Sequence, residues 1–71
     1  ISVDRYKLFK KFIRKAFDTA GTDELPVSDV TAFVQKEAGN APFTEEELEA
    51  AYSQFTKENK GMFYKSNIIL I

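Results

Sequence analysis

The stretch from Pro42 to Ile71 narrows the folds open to this chain more than any other. Phe43-Thr44-Glu45-Glu46-Glu47-Leu48 carries a helix start. Thr44 is placed to accept from the backbone N–H of Glu47, and the Glu47 carboxylate to accept from the N–H of Thr44. Phe43 and Leu48 flank that box at the spacing of a hydrophobic staple, and three glutamates suit the positive end of the helix dipole. Leu48, Ala51, Tyr52 and Phe55 recur at i, i+3, i+4 and i+7 as one apolar stripe, which Asn59-Lys60-Gly61 brings to a stop. Met62-Phe63-Tyr64 and Ile68-Ile69-Leu70-Ile71 follow around Lys65-Ser66-Asn67 and read as a terminal β-hairpin.

Upstream, Tyr6 to Ala20 reads as a helix capped by Ser2 or Asp4. Tyr6, Phe9, Phe12, Ile13, Ala16 and Phe17 share its apolar arc, Leu8 lies at the margin, and Gly21 ends it. Leu25-Pro26-Val27 is a short extended segment, and any strand there is brief or at an edge because Pro26 cannot donate to a ladder. Ser28 then caps a second helix that carries Val30, Phe33 and Val34 inward and ends near Gly39. The order is helix, strand, helix, four-residue turn, helix, hairpin. If the strand joins the hairpin, the fold is mainly α: a three-helix winged helix, the variant of helix-turn-helix with a small C-terminal β-hairpin sheet.

Seventy-one residues make one domain, 1–71, with a single small core. A hydrophobic share of 44%, with seven Phe, is globular rather than disordered. There is no cysteine, hence no disulfide, and no apolar run near the length of a membrane span. The chain opens on Ile1 with no initiator Met, which reads as a domain excised from a longer protein.

Catalysis finds no foothold. His and Cys are both absent, removing the usual general bases, nucleophilic dyads and zinc ligands, and no phosphate-cradling G-x-x-x-x-G-K-[ST] occurs. The Glu45-Glu46-Glu47 cluster reads as helix electrostatics. A calcium-binding helix-loop-helix pair is an alternative of similar size, but its ligand pattern fails. Starting at Asp18, loop position 3 is Ala20 and Asp23 replaces the turn glycine; starting at Thr56, Lys60 takes a ligand position and Asn67 the bidentate one. At most a degenerate, metal-free version remains.

Pro42-Phe43-Thr44, Glu49-Ala50-Ala51, Asn59, Met62 and the terminal Ile68-Ile69-Leu70-Ile71, in that order, resemble the C-terminal end of the third subunit of the minichromosome maintenance complex, the eukaryotic replicative DNA helicase. The resemblance runs from Tyr6 to the end of the chain and is densest after Pro42. It implies a winged helix appended to a ring-forming ATPase subunit of the nucleus, acting in DNA replication licensing. The implied partners are the origin recognition complex and its loading ATPase, with the other helicase subunits reached through the parent chain. ATP and Mg would belong to that parent; no catalytic or cofactor residue carries over to any position here.

Net charge is only −1, yet it is unevenly spread. Arg5, Lys7, Lys10, Lys11, Arg14 and Lys15 form an acid-free basic block, and Glu45 to Glu49 an acidic one. A DNA-binding winged helix would bring its third helix into the major groove with Arg or Lys near its start. Here Glu46 and Glu49 would face phosphates, with Ala50, Ser53 and Gln54 beside them and Lys57 at the far end. A domain of isoelectric point near 5.3 also has little counterion release to draw on. Groove binding is therefore the alternative, and protein contact the main reading. Its predicted partner-binding residues are Glu46 and Glu49 on the third helix and Lys7, Lys11 and Arg14 on the first.

Overall fold

The computed structural model describes residues 2–55 and 61–69, apart from the side chains of 54, 55, 67 and 69. The side chains of the predicted stripe residue Phe55 and of Gln54, together with Lys57, the Asn59-Lys60 stop signal and the final Leu70 and Ile71, fall outside that description.

The first helix, α1, spans Val3–Ala20 and so begins ahead of the predicted Tyr6. Ser2, in extended backbone, caps it by accepting from the Arg5 N–H at 3.2 Å. Gly21 ends it in the left-handed conformation at φ 68°, its N–H donating to the Phe17 carbonyl at 2.8 Å. Phe9, Ile13, Ala16 and Phe17 are buried along one face, while Tyr6, Leu8 and Phe12 pack partly buried at its border.

Strand β1 is Glu24–Pro26 and β2 is Met62–Tyr64. They pair antiparallel with Leu25 opposite Phe63 and Pro26 opposite Met62. Past the ladder's ends, the Val27 N–H donates to the Gly61 carbonyl and the Lys65 N–H to that of Asp23, both at 2.8 Å. The first of these bonds corrects a predicted boundary. The Val27 N–H, a first-turn donor with no partner inside the helix, is satisfied by the Gly61 carbonyl just before β2, and helix α2 runs over Val27–Ala38 with Pro26 at its N-cap and no side-chain cap; Ser28 lies exposed inside the first turn. Val30 and Val34 are fully buried, whereas Phe33 is only half-buried and stands outside the core cluster.

Helix α3 covers Glu45–Phe55, and after β2 a short helix α4 covers Lys65–Ile69. Over its described residues, then, the predicted outer hairpin arm is helical. The Lys65 bond to Asp23 carries the chain past the start of β1 instead of back along β2. One helical turn then delivers Ile68, 2% exposed, into the core beside α1. The described sheet is two-stranded and the mainly helical class with a small sheet stands.

Helix α1 packs against all three other helices. Five rings cross the core edge-on in sequence: Phe12 to Phe43 (6.3 Å between centroids), Phe43 to Phe9 (5.6 Å), Phe9 to Tyr52 (6.0 Å) and Tyr52 to Phe63 (5.4 Å). No polar or charged side chain is buried among the described residues, and Val3 is their exposed large hydrophobic. Met62 and Tyr64, on the far face of β2 from Phe63, are half-buried.

Candidate docking surfaces

The first turn of α3 is built as its sequence dictates. Thr44 Oγ accepts from the Glu47 N–H at 3.1 Å and the Glu47 carboxylate accepts from the Thr44 N–H at 2.9 Å. Phe43 is buried and Leu48 partly so, completing the staple.

What the sequence did not disclose is the second partner of Glu47. Arg5, which belongs to the basic block by composition, donates from Nε to Glu47 Oε2 at 2.9 Å and from Nη2 to Oε1 at 3.1 Å, a two-pronged pair. Its remaining donors reach the carbonyls of Ala41 and Pro42 at 3.2 and 2.9 Å, and its guanidinium lies 4.3 Å from the centroid of the Phe43 ring. The Arg5 hydrogen bonds and the Thr44 backbone N–H hold the Glu47 carboxyl down at about 2. Arg5 thus fixes α3 against the start of α1, and its charge is taken up by Glu47 while the side chain stays partly exposed.

Two further links hold the remaining elements in place. The Gln35 side-chain amide spans the backbone of Phe43, donating to its carbonyl at 2.9 Å and accepting from its N–H at 2.8 Å. Thr31 and Tyr52 join α2 to α3 through their hydroxyls. Since Thr31 donates its single proton to the Val27 carbonyl, Tyr52 is the donor of that pair.

With α3 fixed in this way, Ala51 is buried, Leu48 and Tyr52 face the interior, and Glu45, Glu46, Glu49 and Ser53 are exposed. Glu46 and Glu49 therefore stand on the outer surface, where the sequence put them. Helix α3 contains no Lys or Arg from Glu45 to Phe55.

The basic block of α1 is divided by its partners. Lys15 pairs with Glu37 of α2 at 2.6 Å, and the Lys10 ammonium sits 5.3 Å from the Tyr6 ring centroid. Lys7, Lys11 and Arg14 are exposed and have no ion-pair partner among the described residues. They fringe an open groove of about 430 Å³ with Lys10, Lys15 and Asp18. A smaller cavity of about 180 Å³, lined by Arg14, Phe17, Asp18, Lys65 and Ile68, lies between α1 and α4. The acidic and basic sets sit on different elements and do not converge on one site.

Among the described residues, no three acidic, His or Cys side chains are grouped to hold a metal ion, and no helix is long and apolar enough to cross a membrane. Three helices ordered around α1, with an antiparallel ladder joining the α1–α2 connector to the strand after α3, define a winged helix. The family model described as "MCM3-like, winged helix domain" matches residues 1–71, and the chain belongs to that family. It is a winged-helix domain of a minichromosome-maintenance helicase subunit, not a member of the calcium-binding class weighed as an alternative. No curated protein and no solved structure matches the chain.

Proposed function

We propose that this domain is a non-catalytic docking module. It brings the helicase ring onto the origin recognition complex and its loading ATPase during replication licensing, in the nucleus. ATP and Mg serve the parent subunit, and this domain binds no cofactor of its own. The observation that supports the reading is the electrostatics of α3. Its exposed side carries Glu46 and Glu49, its first turn is wholly acidic, and it has no cation between Glu45 and Phe55. In a groove-binding pose those carboxylates would meet phosphates, and the term that drives duplex affinity would change sign. Against a basic protein surface the same charges accelerate encounter.

The double reversal Glu46→Lys/Glu49→Lys is expected to cut the association rate with the loading machinery by at least about tenfold at low salt. Far-ultraviolet circular dichroism should stay that of the parent, because neither side chain touches the core. Recruitment at an unaltered rate would remove α3 from the interface.

A further inference from the structure

We propose that the open groove along α1 receives a short, extended acidic peptide segment of a protein partner, an inference that rests on the protein-docking reading above. Lys7, Lys11 and Arg14 recur at i, i+4 and i+7, within an arc of about 60° on a helix that turns 100° per residue. They are the cations of α1 that the fold leaves unpaired among its described residues; Arg5 and Lys15 are held by Glu47 and Glu37.

The helix is also charged against itself. Lys7 with Lys11, Lys10 with Arg14, and Lys11 with Lys15 are like-charge neighbours one turn apart, an arrangement that weakens a helix. Within α1 no acid lies between Asp4 and Asp18, and Glu37 of α2 answers the Lys15 end of the stripe. A ligand carrying carboxylates at that face removes the repulsion and gains the attraction together.

Length selects the class of ligand. The three cations span about 10.5 Å along the axis at 1.5 Å per residue. Alternate side chains of an extended peptide repeat about every 6.6 Å, so two or three acids at alternate positions fall within reach of the lysine and arginine stems. Asp4 and Asp18 lie on the same side of α1, beyond either end of the stripe, and Asp18 lines the groove itself. These two carboxylates repel an anion that continues past the stripe, as a nucleic-acid backbone would. A duplex needs many neutralised phosphates, which a domain of net charge −1 does not supply.

The test is a fluorescence-anisotropy titration of the 71-residue chain. Its probes are a labelled ten-residue peptide of alternating Glu and Ser and, separately, a labelled twelve-base-pair duplex. The peptide is expected to bind with an affinity that falls as salt rises. Lys7→Ala/Lys11→Ala/Arg14→Ala should weaken it at least tenfold, Asp18→Asn should tighten it about twofold, and Glu46→Gln/Glu49→Gln should leave it within twofold. Equal binding by the triple variant, absence of peptide binding, or a duplex bound more tightly than the peptide would overturn the proposal. Those outcomes are separate from failure of the α3 charge reversal to slow recruitment, which counts against the docking reading as a whole.

Discussion

Glu47 shows how much one side chain can be asked to do. The same carboxylate closes the capping box with Thr44 and takes both prongs of Arg5. The sequence announces the first role through spacing alone, because a capping box is local. It conceals the second, because Arg5 lies 42 residues away and looks like one more cation in a basic block. Gln35 is hidden for the same reason: nothing in its neighbourhood signals that its amide will pair with the backbone of Phe43. The acid response of the protein follows from Glu47. Its carboxyl is depressed from 4.5 to about 2 in the folded state, so the stabilisation is complete above the unfolded value and is lost as pH falls from about 4.5 through 2. Thermal melts of the parent and Glu47→Gln are therefore expected to differ most at neutral pH and to converge below pH 2. A gap that stays constant across that window would mean the charge of Glu47 contributes nothing.

Elements were legible where their signals are local and obscure where a neighbour decides. Periodicity set the buried face of α1, and Gly21 marked its end, because both depend on a few adjacent residues. The start of α2 lies ahead of the Ser28 cap that the sequence predicts, since the partner of the Val27 N–H is Gly61, far along the chain just before β2. The run from Ile68 onward has β propensity, yet its described part is helical because burial of Ile68 against α1 overrides an intrinsic preference. The two helix-ending glycines also separate at this scale. Gly21 occupies the ordinary left-handed well, whereas Gly39 combines φ 62° with ψ −119°, where side chains other than glycine's are hardly tolerated. A Cβ would meet nothing within 4 Å at either place, so any cost arises in the backbone. Gly21→Ala is expected to cost about 1 kcal/mol and Gly39→Ala about 2–3 kcal/mol in urea unfolding. Equal costs would show that the turn after α2 relaxes when substituted.

For the molecule as a whole, stability rests on one aromatic path through a small core. A chain of this size is worth roughly 4–11 kcal/mol. Phe9, fully buried between Phe43 and Tyr52, is its junction, and Phe9→Ala should remove about 3–5 kcal/mol. The variant is expected to lose its cooperative thermal transition or to melt far below the parent by circular dichroism; a melt within a few degrees would place the core's weight elsewhere. Charge works at the surface instead: none of it is buried among the described residues, and it ties α1 to α3 through Arg5 and Glu47 and to α2 through Lys15 and Glu37. The Arg5 fork gives that arrangement a physical meaning. By joining the first turn of α3 to the start of α1 it sets the acidic turn of α3 and the cationic stripe of α1 in one fold, and charges of opposite sign held apart on different elements give the domain an electric dipole moment. In the field of a charged assembly it experiences a torque as well as a pull. On the docking reading proposed above, that torque would turn it to face a charged partner across the last Debye length of about 8 Å, before any two atoms touch.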